Sequence, residues 1–254
     1  MAKNPRDFLY LYDEPVPYKT LKIYPVTMRD FISFRIFSTC LQLEKDINVE
    51  SILMSYLKFL YTQSNEEHNY LILLDALFRL CLKVPNAKIQ FGLDNNENAI
   101  FQIDDTIYNS DDFDNIKEII AEQNIVELPD MKKDKHVRNK LKETKEFLQN
   151  QNGNKPASLE DDIISLAVYT GWELKNIYDM TIRKFMKSIR RADHIFHQTI
   201  YMNSLYSGMA EWKDKSAIKH WLSDLDDEND DSKYFKSVDE IKQKANMEKP
   251  NDSN

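Results

Sequence analysis

The stretch Ser158-Leu-Glu-Asp-Asp-Ile-Ile-Ser-Leu-Ala-Val-Tyr-Thr-Gly-Trp172 contains signals for both ends of a helix. Ser158 followed three residues later by Asp161 is a capping-box pattern, which starts helices. Gly171 suits the left-handed backbone that often ends them. We therefore predict a helix from Leu159 to a structural turn at Gly171 and Trp172, with the indole filling the space between two C-terminal helices.

A longer helix is predicted to follow. Residues 172–178 are typical of one or two short turns, after which Thr181 caps a helix that ends at Gly208. Its apolar residues recur at helical spacing, and they either enter a single core or leave some positions free to contact a partner. The apolar positions include Ile182, Phe185, Met186 and Ile189. One face can be formed by Phe185, Ile189, Phe196 and Ile200, and the residues that fall partly outside it are Ile195, Met202, Leu205 and Tyr206.

The residues before this region change period. Lys88-Ile-Gln-Phe91 and Ile100-Phe-Gln-Ile103 alternate around a polar turn at 94–98, which predicts a β-hairpin, with a third short strand near Ile107–Tyr108. Asp111 then precedes an apolar helix. The predicted fold class is mainly α with a small β-hairpin insertion (α+β), built from pieces of helical bundle.

The first 85 residues combine prolines with helical patterns. Prolines at 5, 15, 17 and 25 predict an extended aromatic arm. Capping-box patterns at Thr27 with Asp30 and at Ser64 with Glu67 predict two helix starts, with a further helix at about Val49–Tyr61.

Charge divides the chain into four segments. Residues 1–127 carry 12 Lys/Arg and 20 Asp/Glu, a net charge of −8, and residues 128–157 carry 8 and 4, a net charge of +4. Residues 158–225 carry 9 of each and are neutral, and residues 226–254 carry 5 and 9, a net charge of −4. We interpret these segments as an N-terminal helical domain with the β-hairpin and its helix, a charged helix with linker, a C-terminal helical domain and a disordered acidic tail. Their ranges are 1–127, 128–157, 158–225 and 226–254.

The overall composition argues against some functions. A net charge of −8 is unusual for proteins that bind nucleic acid or anionic membranes. The polar start and the lack of an apolar run of roughly 20 residues predict a protein that stays in the cytoplasm where it is made. Cys40 and Cys81 lie in apolar helical patterns and are predicted to be reduced core thiols.

The sequence offers little for catalysis. Its four glycines form no phosphate-binding loop. His194 and His197 could share a helix face and chelate a metal, but no third ligand follows at a recognisable spacing. The carboxylates at 160–162 suit a helix N-terminus. We expect no enzyme activity, cofactor or metal.

Two stretches resemble phage proteins. Asp111-Asp-Phe-Asp-Asn-Ile-Lys-Glu-Ile-Ile-Ala-Glu-Gln-Asn124 follows a short β unit, and the Gly-Trp turn leads to Ile177-Tyr-Asp-Met-Thr-Ile-Arg-Lys-Phe185. Together they resemble morphogenesis proteins of tailed phages that infect Gram-positive bacteria. The second is similar to tail assembly chaperones, in which such a turn leads into an Ile-x-x-Met-Thr-x-x-x-Phe helix start. The resemblance covers about residues 88–124 and 158–222.

The resemblance implies a chaperone that binds and shields the tape measure protein before the tail tube polymerises in the host cytoplasm. The tail tube protein and a second copy of the chain are further partners that it allows. A structural virion component or adaptor in the baseplate, neck or tail is the alternative. An enzyme or nucleic-acid regulator is disfavoured.

We predict a partner-binding surface on the long helix. Basic side chains lie beside apolar ones there and suit an acidic partner or the acidic tail of the chain itself. The predicted contact residues are Arg183, Lys187, Arg190, Arg191, Met202 and Tyr206.

Overall fold

The computed structural model describes residues 6–45, 53–64, 69–129, 158–207 and 220–223. In these ranges eight α-helices accompany a two-stranded and a three-stranded antiparallel sheet, which confirms the predicted fold class. The elements are α1 Asp7–Leu11, β1 Val16–Tyr18, β2 Leu21–Ile23, α2 Phe31–Phe37, α3 Tyr56–Gln63, α4 Tyr70–Leu82, β3 Ile89–Leu93, β4 Ala99–Ile103, β5 Thr106–Tyr108, α5 Ser110–Asn124, α6 Leu159–Thr170, α7 Leu174–Asp179 and α8 Ile182–Tyr206.

Contacts divide the chain into two compact units. The first contains residues 1–132 and 157–192, and the second contains 133–156 and 193–254. The boundary at 192/193 falls inside α8. The predicted charged helix at 130–149, the helix end at Gly208 and the tail at 226–254 lie outside the described residues.

The proline-rich start is not the extended arm that the sequence predicted. It forms the short helix α1 and a hairpin in which β1 pairs antiparallel with β2, with Val16 opposite Ile23. Pro17 is tolerated because both strands of a two-stranded sheet are edge strands, where a missing N–H need not break a ladder.

The predicted capping box at Thr27 is absent, whereas the one at Ser64 with Glu67 falls partly on residues outside the described ranges. The Thr27 side chain accepts no capping hydrogen bond, and a 3-10 turn at Met28–Asp30 precedes α2. Ser64 follows the last residue of α3, and its hydroxyl donates to the Leu60 carbonyl at 2.8 Å. Helix α4 is capped by the Asn69 side chain.

The predicted β insertion is confirmed as the three-stranded sheet. Strand β4 pairs with β3 and β5, and its side chains alternate so that Ala99, Phe101 and Ile103 are buried. Phe101 packs against Tyr108 with ring centroids 4.9 Å apart and against Phe78 at 5.2 Å. These rings anchor the sheet to α4, so the insertion shares the main hydrophobic core.

Helix α5 begins with a capping box between Asn109 and Asp112, and Asp112 also contacts the hairpin β1–β2. The Asp112 carboxylate accepts hydrogen bonds from the Tyr18 hydroxyl at 2.7 Å and the Asn109 N–H at 3.1 Å, and it pairs with Lys19 at 2.5 Å. Burial alone would raise the pKa of Asp112, but these donors and the Lys19 charge outweigh it, so this pKa lies below its usual value.

A mostly buried extended segment, residues 23–28, joins the first hairpin to α2. From α5, the Asn124 side chain accepts from the Val26 N–H at 2.9 Å, and the Gln123 amide donates to the Ile23 carbonyl at 3.1 Å. The segment also pairs with the loop between α7 and α8. The Met28 N–H donates to the Met180 carbonyl and the Ile182 N–H to the Val26 carbonyl, both at 2.8 Å. We call this pairing, centred on Thr27 and Thr181, the Thr27–Thr181 bridge.

The two cysteines are free and buried, as predicted for core thiols. Burial raises the pKa of Cys40 to about 12 and also raises the pKa of Cys81.

Replacing Asn124 by Ala should destabilise the fold by about 1–3 kcal/mol, because the buried Val26 N–H loses its acceptor. Chemical denaturation measures this loss. Asn115→Ala is the matched control, since Asn115 is exposed on the same helix and its side chain donates to the Asp111 carbonyl, not to a buried backbone group of another segment. Equal losses in the two variants would contradict the role of Asn124.

Asp112→Asn should cost about 1 kcal/mol at neutral pH through the weakened cap. Because the folded-state pKa is lowered, the ionised carboxylate stabilises the protein above its unfolded pKa of about 3.9, and this contribution is lost as the pH falls through the folded value. The difference in stability between wild type and variant should therefore begin to shrink below about pH 4 and disappear as the pH falls through the folded-state pKa. Urea titrations across pH test this, with Asp111→Asn as the exposed control; a constant difference would refute it.

Candidate partner-binding surface

Helix α6 begins and ends as predicted. The Asp161 N–H donates to the Ser158 hydroxyl and the Ser158 N–H to the Asp161 carboxylate, both at 3.1 Å. Gly171 follows the last turn with φ of 72°, the left-handed conformation that favours glycine. A Cβ at Gly171 would meet nothing within 4 Å, so backbone conformation is what favours glycine here.

The Ile-x-x-Met-Thr-x-x-x-Phe pattern attaches α7 and α8 to the rest of the first unit. Ile177 and Phe185 are fully buried, and Met180 supplies the carbonyl that pairs with Met28. The Thr181 hydroxyl accepts from the Lys184 N–H at 3.3 Å, which confirms the predicted cap, and donates to Asp13 at 3.0 Å. In this chain the pattern is therefore a packing motif.

Arg183, the first residue of the predicted basic stripe, is engaged within the chain. Its guanidinium donates to the Glu122 carbonyl at 2.6 Å and lies 4.8 Å from the ring centroid of Tyr10. The Tyr10 hydroxyl donates to the Glu122 carboxylate at 2.6 Å, which Arg6 also contacts. Burial and then Glu122 raise the pKa of Tyr10. These contacts join α1, α5 and α8.

The other predicted contact residues lie further along α8. Lys187 is exposed and Arg190 and Arg191 are half-buried in the first unit, whereas Met202, half-buried, and Tyr206, 79% exposed, belong to the second. The apolar side chains of α8 also become more exposed along the helix. Phe185 is buried, but Phe196 is 59% exposed and Ile200 is 47% exposed, so these two residues do not enter a core.

An exposed apolar surface on α6 and α7 was not predicted as a binding site. It comprises Ile164, Val168, Trp172 and Leu174, which are 47%, 79%, 44% and 44% exposed, and we call it the Trp172 face. Ile164 and Val168 are one helical turn apart on α6. A signal was present in the sequence, because α6 carries more apolar residues than one buried stripe needs.

Trp172 itself departs from its predicted role. The indole was expected to fill the space between helices, but it is 44% exposed. The buried positions of α6 and α7 are taken by smaller residues, Ile163, Leu166 and Ile177. The ring therefore adds apolar area to the surface of the first unit.

The remaining polar groups that the structure describes form no recognisable metal centre. His197 pairs with Asp193 at 3.2 Å, and the His194 ring lies 3.1 Å from the His220 carbonyl. Among the described residues no group of three or more His, Cys, Asp or Glu is placed to hold a metal ion. An open polar cleft of about 950 Å³ adjoins the β3–β4 turn, where Asp94 accepts backbone N–H bonds from Asn96 and Asn98.

Helix hydropathy gives one further result. In the part of the chain that the structure describes, no helix is both long and apolar enough to cross a membrane.

Trp172→Ala should reduce the free energy of unfolding by about 1 kcal/mol or less, because much of the ring is already in water. Phe185→Ala should cost about 3–5 kcal/mol, since it empties a fully buried site. Urea denaturation of the two variants compares these losses. Similar values for both would show that Trp172 supports the core.

Comparison with known proteins gives a match over part of the chain. Residues 149–226 match the family model described as the YomV second domain. YomV is a Bacillus phage protein. No curated protein and no solved structure matches the chain. The matched range includes α6, α7 and α8, and thus the whole Trp172 face. The C-terminal part of this chain is therefore similar to a domain of a phage protein.

Proposed function

We propose that this chain is a phage tail assembly chaperone, which binds and shields a tape measure protein before the tail tube polymerises. The observation that carries the proposal is the Trp172 face, an exposed apolar surface in the region similar to a phage protein domain. In this proposal the protein is not an enzyme, needs no cofactor and acts in the host cytoplasm.

The physical need for such a protein follows from the partner. A tape measure protein is a long amphipathic helix, whose apolar stripe favours aggregation until the tube covers it. A helical surface can cover such a stripe by packing its own apolar ridge against it. The Trp172 face is supported by buried residues of the same helices, so it is preorganised for this contact.

The exposed part of α8 supports a second area of contact. Phe196, Ile200 and Tyr206 present aromatic and aliphatic groups, and the thioether of Met202 adapts to different apolar shapes. Binding through small separate areas would keep the affinity moderate, which suits a chaperone that the growing tube must displace. The tail tube protein and self-association fit the same proposal as further contacts.

Co-expression with the tape measure protein of the same phage tests the proposal. The expected result is a tape measure protein that stays in the soluble fraction and co-purifies with this chain. The double variant Ile164→Gln/Val168→Gln should reduce its recovery severalfold without lowering the melting temperature, because both residues are exposed. A tape measure protein that aggregates equally with and without the wild-type chain would refute the proposal.

Two additions sharpen the experiment. Charge reversal of Arg190 and Arg191 should weaken capture if α8 contributes, and unchanged capture would remove α8 from the interface. Mass spectrometry of purified virions separates a chaperone from a structural component. A chaperone is absent from the particle, whereas stoichiometric copies would favour an adaptor in the baseplate, neck or tail.

A further inference from the structure

We infer that the Trp172 face binds an amphipathic helix whose apolar stripe is flanked by Lys or Arg residues. The inference rests on the proposed function for the identity of the partner. The chemistry that it assigns to the partner comes from the shape and charge of the described surface alone.

The apolar part of the surface has the form of a ridge. Glu160, Ile164 and Val168 are spaced four residues apart on α6, so they lie in one row of about 12 Å along the helix. Beyond the end of α6, Trp172 and Leu174 add apolar area. Rows with this spacing pack into the groove between side chains of another helix, which makes a helix the natural occupant.

The charge around this ridge is acidic. Residues 158–180 contain five acidic residues and one basic residue, Lys175, which gives −4. Arg29 pairs with Asp179 at 2.6 Å and offsets one charge, leaving about −3. The acidic residues are Glu160, Asp161, Asp162, Glu173 and Asp179.

Two of these carboxylates are placed to meet a partner. Glu160 is exposed and in the same row as Ile164, and Glu173 is exposed and adjacent in sequence to Trp172. Asp161 is held by Ser158, and partial burial raises the pKa of Asp162, so these two contribute less. Acidic groups at both ends of the apolar ridge favour a helix with basic flanks and disfavour an acidic one.

The exposed part of α8 differs from the Trp172 face because basic residues precede its apolar side chains in the sequence. Arg190 and Arg191 precede its apolar residues Phe196 and Ile200 on the same helix. Each surface would therefore select a different kind of segment, and the charge of the bound helix is the property that identifies the Trp172 face.

The test uses the full chain and two fluorescein-labelled peptides of roughly 20 residues, long enough to form helix. Both carry the same Leu and Ala stripe, one with Lys flanks and the other with Glu flanks. Fluorescence polarisation should show about tenfold tighter binding of the Lys peptide at low salt, and the preference should shrink as salt is added.

Variants test whether the Lys peptide binds to the Trp172 face. Val168→Gln should weaken binding of the Lys peptide about tenfold. Ile72→Gln is the matched control, an Ile that is 64% exposed on α4, and it should leave binding unchanged. Glu160→Lys/Glu173→Lys should invert the peptide preference. Melting curves for each variant should match wild type, which separates lost contact from lost fold.

The inference is overturned if neither peptide binds, if the two bind equally, or if Val168→Gln has no effect. Its failure is distinguishable from failure of the proposed function. Capture of the tape measure protein without the peptide preference would leave the function standing and remove the inference. A preference for the Lys peptide without capture of the tape measure protein would leave the inference standing and refute the proposed function.

Discussion

The structure depends on how the extended segment at residues 23–28 satisfies its backbone hydrogen bonds. A buried strand segment needs partners for its N–H and C=O groups, and an unmet need costs about as much as a lost hydrogen bond. From α5, the side-chain amides of Gln123 and Asn124 hydrogen-bond to the backbone of the segment. The loop before α8 supplies further backbone hydrogen bonds through the Thr27–Thr181 bridge. The segment therefore links two regions that are distant from it in sequence, α5 and the loop before α8.

The Trp172 face follows from this arrangement. Since Met180 and Ile182 are fixed by backbone pairing, the buried side of α7 and of the start of α8 is determined, with Ile177 and Phe185 in the core. Helix α6 buries Ile163 and Leu166, so Ile164 and Val168 are left exposed by helix geometry. The proposed binding surface thus consists of apolar side chains at helix positions that the core does not cover.

Local signals in the sequence predicted much of this fold. The alternation around residues 88–108, the Ser158 cap, the Gly171 turn and the Thr181 cap involve residues close in sequence, and all are confirmed. The capping signal at Thr27 failed because the backbone there pairs with Thr181, in the distant loop between α7 and α8. The contact of Arg183 with the Glu122 carbonyl and the 44% exposure of Trp172 depend on residues distant in sequence, which no local pattern encodes.

The Thr27–Thr181 bridge also sets an order of events during synthesis. Its two sides are 154 residues apart, so at about 5–20 residues per second the ribosome needs roughly 8 to 30 seconds to make the second after the first. Throughout this interval the Val26 carbonyl and the Met28 N–H have only other partners, such as water. The first unit therefore cannot complete its native pairing on a nascent chain until the start of α8 has left the exit tunnel.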